Sequence, residues 1–166
     1  SGDMEFSPAP GGLAAGLAGP WSRSGATWIG SLCSASGLPE PAARQLLSRH
    51  IRAVVVSPEQ YHHFYDGISN GLLWPVLHDR IDQVSFEPYQ WKDYVEVNRK
   101  FCEATARSLT DDSMVWIHDY HLFLLPGMLR KRFATLKIGF FLHVPFPPPE
   151  TFETIPWRRE VINGVL

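Results

Sequence analysis

The residues with the most chemistry to offer stand in two short strings. His118-Asp119-Tyr120-His121 sets two imidazoles and a carboxylate within four positions. Phe140-Phe141-Leu142-His143 brings a third imidazole directly ahead of Val144-Pro145-Phe146-Pro147. Such groups can ligate a metal or act as general acid and base. The HxxH spacing of His118 and His121 lacks a spaced third ligand and an HExxH helix, so it does not define a zinc site. The plainer reading of His118 is a hydrogen-bonded histidine of the core. A third string, Gly11-Gly12, opens an Ala/Leu-rich stretch. Adjacent glycines at a helix N-terminus let backbone N–H groups approach a phosphate, helped by the helix dipole. The same pair is also an ordinary turn, and it fits neither the P-loop nor the dinucleotide fingerprint.

The elements that must position these residues follow from periodicity and turn chemistry. Residues 1–10 carry Pro8 and Pro10 and show no period, so they read as an irregular segment. The helix opened by Gly11-Gly12 is expected to end at Gly19-Pro20. Residues 26–30 suit a strand, 39–49 a helix, and 51–57 a buried strand rich in β-branched residues. Ser57 caps the next helix, with Pro58 at its first position and Gln60 completing a capping box. Helical character runs on, with a break, through ISNGLLWPVLH. Over 92–109, Tyr94, Val97, Phe101 and Ala104 fall at the spacing of an amphipathic helix.

Residues 114–118 then predict a strand, 125–133 a helix and 137–143 a second strand. Two apolar strands bracketing a helix form a βαβ unit, hence a parallel sheet and an α/β fold. Open parallel sheets bind ligands beyond the C-terminal ends of their strands. His118, Asp119 and His143 fall there, and the prolines after His143 stiffen that loop.

The composition narrows the class. At 166 residues the chain is the size of one domain or one lobe of a larger protein. Hydrophobic residues at 45% supply a core, and charged residues at 19% are too few for a coiled coil. A formal charge of -2 gives no electrostatic reason to expect nucleic acid or an anionic membrane. No apolar run reaches the ~18 residues of a membrane span, and the first residues lack a signal pattern. Cys33 and Cys102 lie far apart, which fits free thiols in a reducing cytosol. The expectation is a globular cytoplasmic chain.

Six strings then occur in order: GGLAAGL, YDGISNGLLWPVLHD, WKDYVEVNRKFCEA, VWIHDYHLFLLPGMLRKR, IGFFLHVPFPPPETF and IPWRREVINGVL. With them the chain, from Gly11 to Leu166, resembles the N-terminal half of the trehalose-6-phosphate synthases. These are retaining glycosyltransferases with two facing Rossmann-like lobes. The resemblance implies a Rossmann-like parallel sheet flanked by helices over residues 11–166, the acceptor-side lobe of a GT-B type enzyme. It implies transfer of glucose from UDP-glucose or another NDP-glucose to glucose 6-phosphate, without metal or cofactor. By the same resemblance Gly11, Gly12 and His143 meet the donor, and Tyr65, Trp74 and Asp119 meet glucose 6-phosphate. Trp74 and Val144 bear on anomer selection, and no residue is assigned as acid, base or nucleophile. As assemblies the resemblance admits a homo-oligomer or a trehalose synthase complex.

Two departures stand out. SGDMEFSPAP holds no strand ending in the family's Asn-Arg, and the second lobe, with its leaving-group cations, does not follow Leu166. The family's WxGW is Trp28-Ile29-Gly30-Ser31 here. The chain alone is therefore expected to be an inactive fragment of the enzyme. Alternatives are a non-catalytic, regulatory lobe, or a relative with another acceptor such as glucosylglycerol-phosphate synthase.

Overall fold

The computed structural model describes residues 12–166. Helix α1 (Gly12–Ser24) runs through Gly19-Pro20 rather than ending there. A proline removes only one N–H from the helical ladder, and the helix stops instead at Gly25, whose φ of 66° only glycine adopts freely. Strand β1 (Trp28–Cys33) starts two residues later and ends three residues later than the apolar pattern suggested. Its limits are set by its partner β2 (Ile51–Val56), with which it pairs in parallel from Trp28↔Ile51 to Cys33↔Val56. Between them stands α2 (Glu40–Ser48).

Helix α3 (Pro58–Tyr61) starts as its residues dictate, the Ser57 hydroxyl accepting from Gln60 N at 3.2 Å. The capping box does not close, because Gln60 Oε1 accepts from Lys100 Nζ at 2.7 Å. The chain then enters a π-helix (His62–Leu73) and the short α4 (Trp74–Leu77). There is no break at ISNGLLWP; the change is one of helical pitch.

Helix α5 (Trp91–Ala106) is the spine of the core. Tyr94, Val97, Phe101 and Ala104 are all buried on its inner face, as their spacing requires. After it come β3 (Met114–His118), α6 (Leu125–Arg132) and β4 (Lys137–Phe141), the expected βαβ unit. β3 and β4 pair in parallel from Met114↔Lys137 to His118↔Phe141. Helices α7 (Pro149–Phe152) and α8 (Arg158–Val165) complete the chain. Among the described residues the sheet consists of two separate two-stranded parallel ladders. Val54, Val56 and Ile117 of these ladders share one apolar core with α5, α6 and the π-helix.

Cys33 is exposed and Cys102 buried, both unpaired. No helix among the described residues is long and apolar enough to cross a membrane.

Candidate functional site

The β3–β4 ladder ends in a rim built around one strained residue. Past the last strand pair, Asp119 N donates to Phe141 O at 2.8 Å. The backbone of Asp119 then takes φ 72° and ψ 169°, a region open in practice to glycine alone. Holding a side chain there costs about 1–3 kcal/mol. The carboxylate offsets part of that cost, since its Oδ1 accepts from Tyr120 N at 3.0 Å and, more loosely, from His143 N at 3.4 Å. The second oxygen has no partner among the described residues. The half-buried carboxylate is therefore held with one oxygen anchored and one uncommitted.

His143 joins the same rim. Its Nε2 lies 3.0 Å from His118 Nδ1, so one ring donates and the other accepts. His118 is half-buried and hydrogen-bonded, and so belongs to the rim rather than to the core. Burial, reinforced by His143, moves its pKa below the ordinary histidine value, with Asp119 pulling the other way. His118 is thus biased toward its neutral form. Val144 follows, half-buried against the core. His121 turns elsewhere, onto Tyr65 and Tyr120. The HxxH spacing therefore does not converge, and among the described residues no group of three His, Cys, Asp or Glu side chains is arranged to hold a metal ion.

Below the rim, α5 fixes the backbone that follows Asp119. The Tyr94 hydroxyl donates to Tyr120 O at 2.5 Å, and Asn98 Nδ2 donates to His121 O at 3.1 Å. Burial raises the Tyr94 pKa far above that of a free phenol, so the donor proton stays in place. Each such bond is worth about 1 kcal/mol.

The π-helix supplies the other side. Tyr65 and Trp74 are nine positions apart. At about 3.6 residues per turn an α-helix would set them on opposite sides, about two and a half turns apart. Bonds to the fifth residue, as from Trp74 N to Ser69 O, widen the turn. At about 4.4 residues per turn nine positions make about two turns, and both rings share a face. Burial follows that longer period: positions 63–64, 67–69 and 72–73 are buried, while Tyr65 and Trp74 are each 37% exposed. The sequence signal was available in Phe64, Ile68 and Leu72, a repeat of four without the intervening three. Glycine makes the packing feasible. A Cβ on Gly71 would lie 2.1 Å from Ser85 O, and one on Gly67 would strike the Gln90 side chain.

The two sides are joined. Tyr120 Oη donates to Asn70 Oδ1 of the π-helix at 3.3 Å, and His121 stacks on Tyr65 at 5.3 Å. Trp74 lies against His78 in a tilted pair at 4.2 Å and 31°, and His78 Nδ1 donates to the Trp74 carbonyl at 2.7 Å. Asn70, His78 and Asn98 were not singled out from sequence, and Tyr94 was read only as a position on the inner face of its helix, because the contacts they make are tertiary. Gly12 opens α1, and Gly11 lies outside the described residues. Trp28-Ile29-Gly30-Ser31 forms the start of β1.

An α/β lobe of parallel ladders flanked by helices, with a polar rim at the strands' C-terminal ends, has the Rossmann-like architecture on which many ligand-binding enzymes are built. Comparison with known proteins makes this specific: residues 1–166 match the model of glycosyltransferase family 20, and the chain belongs to that family. It is 41% identical over 165 residues to a trehalose-6-phosphate synthase of Mycolicibacterium smegmatis, covering 99% of this chain and 32% of that protein. An E. coli trehalose-6-phosphate structure bound with UDP-2-fluoro glucose superposes with TM-score 0.78 at 31% identity, over 98% of this chain and 36% of that one. A Burkholderia xenovorans alpha,alpha-trehalose-phosphate synthase (UDP-forming), in complex with glucose-6-phosphate, superposes with TM-score 0.77 at 28% identity, over 97% and 36% of the two chains. The chain thus spans about a third of the length of these relatives.

Proposed function

We propose that residues 11–166 are the acceptor-side lobe of a trehalose-6-phosphate synthase, which transfers glucose from UDP-glucose or another NDP-glucose to glucose 6-phosphate in the cytoplasm. The observation that carries the reading is Asp119, held at a positive φ with one carboxylate oxygen uncommitted, beside a helix that turns Tyr65 and Trp74 to one exposed face.

The roles follow from the chemistry of each group. The free oxygen of Asp119 accepts from a hydroxyl of the acceptor glucose. The Tyr65 phenol donates to its phosphate, and the Trp74 ring covers an apolar face of the pyranose. His143, with Gly11 and Gly12, meets the nucleotide sugar, and Val144 with Trp74 shapes the space that selects the anomer. Retention needs no protein nucleophile when the acceptor hydroxyl attacks C1 of the donor glucose from the face the diphosphate leaves. The C1–O bond to the diphosphate breaks as the new C1–O bond forms, and the departing phosphate takes the hydroxyl's proton. The lobe positions the acceptor, and the cations that stabilise the leaving diphosphate belong to the second lobe.

Tyr65→Phe tests the acceptor assignment in the two-lobe protein. It is expected to raise KM for glucose 6-phosphate about tenfold while leaving the weak use of glucose unchanged. Equal loss with both sugars contradicts the phosphate role.

A further inference from the structure

The second histidine of the HDYH string takes no part in the rim. His121 sits instead in a column of rings. Tyr61 stacks on Tyr65 at 5.0 Å and 19°, Tyr65 on His121 at 5.3 Å and 18°, and His121 on Tyr120 at 4.3 Å and 24°. The imidazole Nε2 is buried and meets no partner among the described residues. Burial pushes the His121 pKa down to about 4, against the opposing pull of Asp119, so the ring is neutral at pH 7. A ring with neither charge nor a hydrogen bond at its buried nitrogen acts through its faces. The backbone beneath it cannot drift, because Asn98 holds its carbonyl. Tyr65, by contrast, stands at the surface and relies on its ring neighbours to hold its angle.

We infer that His121 is a positioning residue: its imidazole, stacked between Tyr65 and Tyr120, sets the angle at which the Tyr65 phenol meets the acceptor's phosphate. This rests on the acceptor reading above. The column also spans the two sides of the site, so the phenol is placed relative to Asp119, two residues before His121.

Two substitutions in the two-lobe protein separate the ring's face from its nitrogens. His121→Phe keeps the face and removes the nitrogens, and is expected to leave KM for glucose 6-phosphate within about twofold of the parent. His121→Ala removes the face and is expected to raise that KM about five- to tenfold, with kcat and the KM of the nucleotide sugar little changed. Should the alanine variant fail to fold, His121→Leu fills the space without an aromatic face and serves in its place. Aromatic NMR supplies a readout independent of turnover: Tyr65 ring flips speed up in the alanine or leucine variant and not in the phenylalanine one. If His121→Phe is as damaging as His121→Ala, an imidazole nitrogen carries the role and the inference is overturned. An unchanged KM on losing the ring overturns it equally. Tyr65→Phe distinguishes the two levels: if it raises the KM and His121→Ala does not, only the positioning role falls. If neither does, the acceptor reading itself fails.

Discussion

The two parallel ladders continue past their last pairs in the same way and then part company. Beyond β1–β2, Ser34 N donates to Val56 O at 3.0 Å; beyond β3–β4, Asp119 N donates to Phe141 O at 2.8 Å. After the first, the chain turns at Gly37, whose φ of 80° meets no Cβ, while the Ser34 hydroxyl donates to Gly37 O at 2.7 Å. After the second, the positive φ falls on Asp119 itself, at 72°. One end puts its left-handed residue where it costs nothing. The other accepts strain and holds a carboxylate with one oxygen uncommitted. At these two strand ends the difference lies in which residue takes the positive φ; His50 and Asp79 also take positive φ, at 56° and 55°, but at neither of these ends.

The largest test of that contrast exchanges one atom at the strained end. Asp119→Asn in the two-lobe protein is expected to cut turnover at least about a hundredfold, with nucleotide-sugar binding nearly intact. Ser34→Ala, at the corresponding place of the other ladder, is expected to leave both within about twofold. Comparable losses at the two ends would erase the distinction.

Acid sensitivity sharpens it next. His121 titrates near 4 when folded and near 6.5 when unfolded, so between these values the unfolded chain binds the extra proton. The stability held by the neutral ring is full above about pH 6.5 and is lost as pH falls toward 4, by at most about 3 kcal/mol. His118, also depressed, adds to the same slope. Urea unfolding at several pH values should show this fall, and His121→Phe should flatten it. A slope unchanged by that variant would place the acid-sensitive group elsewhere.

Val56→Ala probes the scaffold alone. Val56 is fully buried in β2, and its truncation is expected to cost about 2 kcal/mol of stability. The KM values of folded enzyme should stay at parent values; a shift in KM would mean the β1–β2 ladder also shapes the site. The smallest effect is the most diagnostic of strain. Asp119→Ala and Asp119→Gly both lose the carboxylate's hydrogen bonds, yet the glycine variant should be the more stable by about 1–2 kcal/mol. Equal melting points would show that the positive φ stores no strain.

Much of the fold was legible because it rests on local chemistry. Tyr94, Val97, Phe101 and Ala104 mark the inner face of α5, Ser57 and Pro58 start α3, and the strands around α6 fall where their apolar runs lie. The limits of β1 were not legible, because a strand rich in small residues takes its register from β2. Nor was the full length of α1, which depends on Gly25 more than on Pro20.

The sequence by itself determined the α/β class, the order of elements and the strings that carry Tyr65, Trp74, Asp119 and His143. These follow from periodicity and from residue types that sit next to one another. Only the tertiary structure decided how those residues face. It set the π-helical pitch that turns Tyr65 and Trp74 to one side, and it seated the loop at Ser85 and Gln90 against Gly71 and Gly67. It also bent Asp119 into a glycine's conformation and sent His118 and His121 to different partners. The physical reason is the same in each case. A helix pitch, a strained φ and a ring stack are each held by groups distant in the chain, and no local pattern encodes where those groups arrive.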